Sequence, residues 1–176
     1  MAITPYGSLV PTLDPSAWIH PSAELLGDVT LEADVSVWPT CVLRGDSGAI
    51  RLGARTNFQD GSIAHATRDV SKTTVGEECT VGHRVILHGC TIGHRVLVGM
   101  GSTVLDNVVV GDDSFIAAGS LLTPGKIYEP RSFIMGAPAK RVREVTSKDL
   151  EWIASSWKVY FELMTTYRQA AKAPAR

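Results

Sequence analysis

Residues 92–122 read IGHRVLVGMGSTVLDNVVVGDDSFIAAGSLL, and this stretch decides the fold. A large aliphatic residue returns at every sixth position, at Ile92, Val98, Val104, Val110, Ile116 and Leu122. A period of six residues fits neither an α-helix, whose period is about 3.6 residues, nor an alternating strand, whose period is about 2. A fixed short period is instead the signature of a repeat architecture. The stretch therefore predicts a solenoid.

The same period extends towards the N-terminus. A second run of large apolar residues with six-residue steps comprises Ile19, Leu25, Leu31, Val37 and Leu43. Between the two runs lie Leu52, Phe58, Ile63, Val75, Val81 and Ile86. In this middle region a step of nine residues ends at Leu52, and steps of five end at Ile63 and Ile86. We predict loops or tightened corners at these three places.

A second regularity supports the solenoid. The residue four places after each large residue is small or β-branched and uncharged, until Lys126 breaks the pattern. This predicts a triangular β-helix, in which three hexapeptides form a coil and stacked strands lie about 4.8 Å apart. The large residue fills the interior, and the small residue fits near the corner. The repeat should end after Leu122 and form about five to six coils.

Hexapeptide repeats of this kind resemble the left-handed parallel β-helix, an exception to the rule that parallel strands connect by right-handed crossovers. A sandwich or barrel of short strands is the alternative, but such folds do not keep one spacing over so long a stretch. Cys41, Cys79 and Cys90 all occupy the small place of the repeat. We expect them to pack inside rather than to bind metal or take part in redox chemistry.

The chain changes character after the repeat. Apolar residues spaced mostly by three or four are typical of one helix face, and they are Leu150, Ile153, Trp157, Tyr160, Phe161, Met164 and Tyr167. Thr146 or Ser147 can cap this helix, with Asp149 in its first turn. We expect a β-helix domain over residues 1–145, with its lead-in and connector, and an α-helix over residues 146–171 packed on it.

Composition excludes several classes of protein. Seventeen basic residues nearly balance eighteen acidic ones, for a net charge of −1, whereas nucleic-acid and polybasic membrane binders lean strongly positive. Three cysteines cannot all pair within one chain, which argues against a secreted disulfide scaffold. Residues 1–13 lack Lys, Arg and a signal-like apolar stretch, and no run approaches the roughly 18 apolar residues of a membrane span. A cytoplasmic protein is predicted, without nucleic-acid or membrane partners.

Three of the five histidines share one place in the repeat. His65, His83 and His88 each follow a large apolar residue by two places, a position that we expect to face outward. A single outward histidine is commonly a solvated surface residue, but three equivalent ones within a few coils favour a site. His20 and His94 fall one place after the apolar residue. They are predicted to be surface or polar-network residues.

The residues around these histidines form a specific combination of motifs. It comprises Arg44-Gly-Asp46, Asn57-x-Gln59-Asp60-Gly61-x-x-x-His65 and His83-x-x-x-x-His88-Gly89-Cys90. This combination closely resembles the γ-class carbonic anhydrases and their carbonic-anhydrase-like relatives. The resemblance covers residues 15–143 and extends to the C-terminal helix.

The resemblance implies that His65, His83 and His88 bind one divalent metal ion between the subunits of a homotrimer. His65 and His88 would come from one chain and His83 from its neighbour. Three neutral imidazoles leave Zn²⁺ its full charge and an open position, and Fe²⁺ or Co²⁺ would also suit imidazole ligands. The implied activity is that of a lyase, the reversible hydration of CO2 to bicarbonate by a metal-bound hydroxide.

The same positional match implies roles for six further residues. Gln59 is expected to hydrogen-bond the metal-bound water or the substrate, with Asn57 on the same strand face. Tyr160 is expected to reach the metal pocket from the C-terminal helix. The interface residues are Arg44 and Asp60, which would form an ion bridge between subunits, and Asp46, which would orient Gln59 or Arg44.

The sequence departs from the γ-class pattern in one respect. The prototype carries glutamates that export protons, whereas Asp46 is the only acid between Arg44 and Ile50. A fast hydratase must release a proton in every turnover. Other functions therefore stay open: a hexapeptide-repeat acyltransferase with one general-base histidine and a CoA groove, a thioester hydrolase that uses the same metal site, and a non-catalytic trimer.

Overall fold

The computed structural model describes residues 2–170. The chain forms a parallel β-solenoid of about 7 turns with a single C-terminal helix, matching a left-handed β-helix. This confirms the predicted fold class. The strands are β1 (Ala2–Thr4), β2 (Thr12–Leu13), β3 (Trp18–Ile19), β4 (Glu24–Leu31), β5 (Ser36–Val37), β6 (Val42–Leu52), β7 (Asn57–Phe58), β8 (Ile63–His65), β9 (Thr73–Val75), β10 (Thr80–Val81), β11 (Ile86–His88), β12 (Thr91–Ile92), β13 (Leu97–Val98), β14 (Thr103–Val104), β15 (Val109–Val110), β16 (Phe115–Ile116), β17 (Leu121–Leu122), β18 (Ile127–Tyr128), β19 (Ser132–Gly136) and β20 (Ala139–Glu144).

Apart from β20, the strands pair in parallel with strands of the neighbouring coils. One face of the prism is the sheet β3-β5-β7-β10-β13-β16-β19-β20, in which only the last pair is antiparallel. The other two faces form one continuous sheet, because the long strand β6 pairs with β8 near its start and with β9 near its end. Strands β8, β11, β14 and β17 follow one another on the face that carries His65 and His88.

The six-residue step fills the interior as predicted. Leu25, Leu43 and Phe58 are completely buried, and so are the three cysteines in the small place of the repeat. Burial raises the pKa of the Cys41 thiol to about 11 and the pKa values of Cys79 and Cys90 to about 12. The prediction that these cysteines pack inside is confirmed.

The prediction for Ile63 and Ile86 is wrong. These side chains are 41% and 38% exposed, whereas Ala64 and Leu87 beside them are completely buried. The interior therefore keeps its step of six, from Phe58 to Ala64, and the predicted steps of five do not exist. Successive residues of a strand point to opposite sides, so choosing the larger aliphatic residue placed the wrong member of each strand inside. His65 and His88 consequently stand one place after an interior residue, and His83 does not share their position.

The solenoid also continues past Leu122, where the sequence pattern predicted its end. Strand β18 pairs with β15 and β19 pairs with β16, both in parallel. Tyr128 and Ile134 are buried and keep the six-residue step. Lys126 breaks the small-residue pattern without ending the coil, because its side chain lies exposed at the corner.

Helix α1 (Ser147–Ala170) packs over β5, β7 and β10. Thr146 is its cap: its Oγ1 accepts a hydrogen bond from the Asp149 backbone N–H at 3.2 Å, and the Asp149 carboxylate accepts one from the Thr146 N–H at 2.7 Å. This reciprocal pair is a capping box with an aspartate in the third position. Residue 171, the predicted helix end, lies outside the described residues.

Between residues 2 and 170, no helix has both the length and the apolar character needed to cross a membrane. The cytoplasmic location stays a prediction.

Candidate functional site

His65 and His88, which we name the histidine pair, lie side by side on neighbouring strands. They are register partners at the ends of β8 and β11. Adjacent strands run about 4.8 Å apart, so two outward side chains in register come into contact. Nδ1 of His65 lies 3.2 Å from Nε2 of His88, and both rings are partly buried.

A carboxylate lies behind each ring of the histidine pair. Asp46 Oδ1 is 3.0 Å from His65 Nε2, and Asp106 Oδ1 is 3.2 Å from His88 Nδ1. A carboxylate only accepts hydrogen bonds, so these two ring nitrogens donate, and in neutral rings the other two nitrogens carry lone pairs. Those lone pairs face each other across 3.2 Å. They repel unless a proton or a metal ion lies between them.

Both carboxylates are held in place by further donors. Arg44 Nη1 lies 2.8 Å from Asp46, and this contact, with those from His65 and Ser47, lowers the pKa of Asp46 to about 2. The sequence led us to expect that Asp46 contacts either Gln59 or Arg44, and in the structure it pairs with Arg44.

Asp106 has its own set of hydrogen-bond donors. It accepts from the hydroxyls of Ser71 and Thr67. Partial burial raises the pKa of Asp106, but the hydrogen bonds from Ser71 and Thr67 and the nearby His88 outweigh that effect, and the net pKa is lowered. Gly89, at φ +68°, permits this close packing, since a Cβ there would collide with Asp106 and Ser71.

His83 does not join the histidine pair within one chain. Within residues 2–170, no group of three or more His, Cys, Asp and Glu side chains could hold a metal ion. The single chain therefore does not complete the predicted zinc site. His83 Nδ1 instead lies 3.0 Å from Asp60 Oδ2, and its Nε2 lies 3.4 Å from the Tyr160 hydroxyl of the helix.

Gln59 and Asn57 are buried at the end of strand β7, whose neighbour β10 ends two residues before His83. Gln59 Nε2 donates to Asn57 Oδ1 at 2.9 Å, and Asn57 Nδ2 donates to Thr80 Oγ1 at 3.0 Å. These bonds fix the Gln59 side chain in a polar network. The structure thus groups Gln59, Asn57 and Tyr160 with His83.

A cleft of about 680 Å³ separates the sheet from helix α1, and Gln59, His83 and Tyr160 contribute to its lining. We name it the helix cleft. Much of the rest of its wall is apolar, and Phe115 of the sheet contacts Trp152 of the helix there. A histidine backed by a carboxylate therefore stands at an apolar cleft of ligand-binding size.

The remaining histidines and two further aspartates can also be compared with the sequence predictions. The ring nitrogens of His20 and His94 bond to Ser22 and to the Glu77 backbone, as polar-network residues. Asp60 pairs with His83 in the chain, so an Arg44–Asp60 bridge would need a second copy. Asp106 was missed, although its separation of 18 residues from His88, one full coil, is a signal that could have found it.

Comparison with known proteins gives consistent relatives. The family model "Bacterial transferase hexapeptide (six repeats)" matches residues 89–124. The carnitine operon protein CaiE of Escherichia coli K12 is 42% identical over 164 residues, 93% of this chain and 83% of that protein. CaiE of Proteus sp. is 39% identical and covers 96% of this chain and 85% of its own.

Two solved structures match nearly the whole chain. A hexapeptide transferase family protein from Anaplasma phagocytophilum is 38% identical, with a TM-score of 0.90, over 94% of this chain and 98% of its own. A candidate acetyltransferase from Bacillus cereus is 36% identical, with a TM-score of 0.93, over 96% of this chain and 98% of its own.

These relatives overturn the carbonic anhydrase prediction. CaiE proteins and hexapeptide transferases favour the acyltransferase alternative, so the assignment as a lyase that hydrates CO2 is wrong. The error arose because the motifs around the histidines were taken as specific for CO2 hydration. The structure brings together His65 and His88, the two histidines that the resemblance assigned to one chain, and the contribution of His83 from a neighbouring chain stays a prediction. The chain belongs to the hexapeptide-repeat transferase family, among the relatives of the carnitine operon protein CaiE.

Proposed function

We propose that this protein transfers an acyl group from a thioester such as acyl-CoA to an acceptor that carries an N–H or O–H group. The observation that carries the proposal is the His83–Asp60 pair at the helix cleft. Asp60 accepts from Nδ1 of His83 across 3.0 Å, which leaves the lone pair of Nε2 as a base in the neutral ring. A carboxylate that fixes the tautomer of a catalytic histidine is a recurring arrangement in acyl transfer.

The reaction balances with this one base. The acceptor heteroatom attacks the thioester carbonyl while Nε2 of His83 takes its proton. The carbon–sulfur bond then breaks, the acyl group stays on the acceptor, and the imidazolium returns the proton to the thiolate sulfur. Asp60 stabilises the imidazolium through the Nδ1 hydrogen bond.

Tyr160 and Gln59 would assist at the same place. Burial, and then the nearby Asp60, raises the pKa of Tyr160, so its hydroxyl keeps its proton near neutral pH. This hydroxyl lies 3.4 Å from Nε2 of His83, close enough to donate to a carbonyl oxygen bound there. Gln59, held by Asn57, offers a second polar group in the cleft lining.

Thiol release from acetyl-CoA, measured with a panel of amine and alcohol acceptors, tests this function. We expect His83→Asn to lower acceptor-dependent release by about 10²–10⁴-fold, and Asp60→Asn to lower it less. His20→Asn is the matched control, since His20 does not line the helix cleft. Equal release by His83→Asn and the wild type would overturn the assignment.

We also propose a second candidate, a metal-dependent thioester hydrolase, on the evidence of the histidine pair. Two nitrogen ligands at about 2.0–2.1 Å from a tetrahedral zinc ion lie roughly 3.3 Å apart. The facing nitrogens of His65 and His88 lie 3.2 Å apart. Histidine ligands of metals commonly donate their other N–H to a carboxylate, as both rings do here. His83 of another copy would supply the third ligand, and Fe²⁺ or Co²⁺ could replace Zn²⁺.

A metal ion bound there would act as a Lewis acid towards a thioester carbonyl. Asp46 and Asp106 would hold the two rings in the tautomers that leave the facing nitrogens unprotonated. His83 cannot serve as both ligand and base in one site, so the two candidates make opposite predictions about metal.

This second candidate needs a homotrimer, the usual state of hexapeptide-repeat β-helices. The face that carries the histidine pair supports one. Five outward residues on successive strands of this face are in register: Val42, Ile63, Ile86, Thr103 and Leu121. Most of them are apolar, and all are exposed or partly exposed. In such a trimer we expect Arg44 and Asp60 of neighbouring subunits to pair across the interface.

Metal content measured by mass spectrometry separates the two candidates. The hydrolase requires one metal ion per subunit, lost in His88→Ala and in His83→Ala but kept in His20→Ala, while all variants remain trimeric. It also requires thiol release without any acceptor, and loss of that release on chelation. Turnover that needs an acceptor and survives chelation would support the acyltransferase and reject the hydrolase.

A further inference from the structure

The helix cleft is elongated along the solenoid axis. Its floor includes residues of β13, β16 and β19 and begins beside β10, and these four strands stack in successive coils. Three steps of about 4.8 Å give a length of roughly 14 Å. Its roof is helix α1 from Asp149 to Tyr160, and eleven residues at about 1.5 Å each span roughly 16 Å. Sheet and helix thus give the same length.

The walls along this length are mostly apolar and include several aromatic rings. Phe115 stacks on Phe133 with ring centroids 5.0 Å apart, and Trp152 of the helix meets Phe115 edge-on at 5.5 Å. Val159 and Met100 also line the cleft, and both are more than half exposed. Large apolar side chains exposed together in a concave site usually mark a binding site.

The two ends of the cleft differ in chemistry. At one end stand His83 and Tyr160, the groups proposed to act on the thioester. At the other end Arg143 pairs with Asp149 at 2.6 Å and lies 3.7 Å above the Phe133 ring. Arg143 is the one cation among the described residues that line the cleft, and this ion pair already engages it. The cleft therefore suits an uncharged group and not the phosphates of CoA.

We infer that the helix cleft binds the apolar acyl group of the thioester substrate, with the carbonyl at His83 and the far end of the chain towards the Arg143–Asp149 pair. This inference rests on the proposed acyl-transfer function and names its substrate class. A roughly 14 Å apolar cleft exceeds what an acetyl group fills. The substrate is a medium-chain or aromatic acyl thioester.

Calorimetric binding of S-octyl-CoA tests the inference without turnover, since this thioether cannot transfer its chain. We expect S-octyl-CoA to bind at least tenfold more tightly than CoA. Ser156→Leu and Ala117→Leu place a larger side chain on opposite walls of the cleft, and each should remove most of that difference. Ala154→Leu introduces the same side chain at an exposed helix position outside the cleft and should bind S-octyl-CoA like the wild type.

The outcomes separate this inference from the proposed function. Equal affinities for S-octyl-CoA and CoA, or unchanged S-octyl-CoA binding in both folded cleft variants, would overturn the inference even if acetyl transfer is observed. Tight binding of S-octyl-CoA that both variants weaken supports the cleft assignment, even if no acceptor-dependent release is found and the proposed function fails. Circular dichroism confirms that each variant is folded.

Discussion

His65 Nδ1 and His88 Nε2 face each other across 3.2 Å, on adjacent strands of one solenoid face. Asp46 and Asp106 each accept a hydrogen bond from the other nitrogen of the neighbouring ring. The result is a line of two imidazoles between two carboxylates, in the order Asp46, His65, His88 and Asp106. When both rings are neutral, only the central contact between the two imidazoles lacks a hydrogen atom. Two facing lone pairs attract a cation. The groups that donate hydrogen bonds to Asp46 and Asp106 hold both carboxylates in place, so the two rings do not turn away from each other.

Asp106 is expected to position His88 without touching a bound metal ion. Asp106→Ala would free the His88 ring to rotate and would leave the hydroxyls of Ser71 and Thr67 without their partner. Loss of such an outer carboxylate typically lowers metal affinity by about 10–100-fold. Competition with a zinc-binding dye measures this change. Asp112→Ala, which removes a carboxylate that caps the His94 N–H instead, should keep wild-type affinity, and equal affinity in both variants would remove Asp106 from the site.

Ile86 is expected to lie in a subunit interface. It is 38% exposed beside the histidine pair, and a charge there would be buried without a partner in a trimer. Ile86→Asp should therefore give monomers in size-exclusion chromatography with light scattering. Ile127 is 72% exposed on strand β18 of another face, so Ile127→Asp should remain trimeric. A trimeric Ile86→Asp protein would place the interface elsewhere.

Asp149 should make the helix cap sensitive to acid. Hydrogen bonds from Arg143 and Thr146 outweigh partial burial and lower the pKa of Asp149 below its ordinary value. A carboxyl group whose pKa is lower in the folded state stabilises the protein above its unfolded pKa of about 3.9, and that contribution is lost as the pH falls through the folded pKa. Asp149→Asn should consequently lower stability at neutral pH.

Thermal unfolding followed by circular dichroism measures the effect of Asp149→Asn. A cap worth about 1 kcal/mol corresponds to a Tm decrease of about 2–4 °C for a chain of this size. The difference from wild type should be constant above about pH 5 and should shrink steadily below about pH 4. A difference that does not depend on pH would show that the carboxylate charge contributes nothing.

The three cysteines should be unreactive towards thiol reagents in the folded protein. All are completely buried, and burial raises their pKa values to about 11 or 12, whereas the thiolate is the reactive form. Titration with a colorimetric disulfide reagent should find no reactive thiol in buffer and three after unfolding in guanidinium chloride. Rapid reaction in buffer would mean that the interior opens locally around one coil.

Much of the fold follows from local pattern. The six-residue period predicted the solenoid, because each interior position is filled by a residue whose place depends only on its own hexapeptide. Thr146 and Asp149 predicted the start of the helix for the same local reason, since a cap is made within one turn. The two failures inside the repeat, at Ile63 and Ile86, came from a competition within single strands. The strict six-residue step leads to the buried Ala64 and Leu87, whereas side-chain size favoured the exposed Ile63 and Ile86.

The grouping of the chemical residues depended on tertiary structure. Contacts between coils follow coil length, which varies: Asn57 pairs with Thr80, whereas Leu97 pairs with Phe115. Coil length therefore decided that Asp106 lies behind His88 and Asp60 beside His83. The sequence alone determined that the chain winds into a hexapeptide solenoid with a capped helix. Only the folded chain decided which histidines meet and which one faces the helix cleft, because these distances depend on stacking between coils and not on the repeat within them.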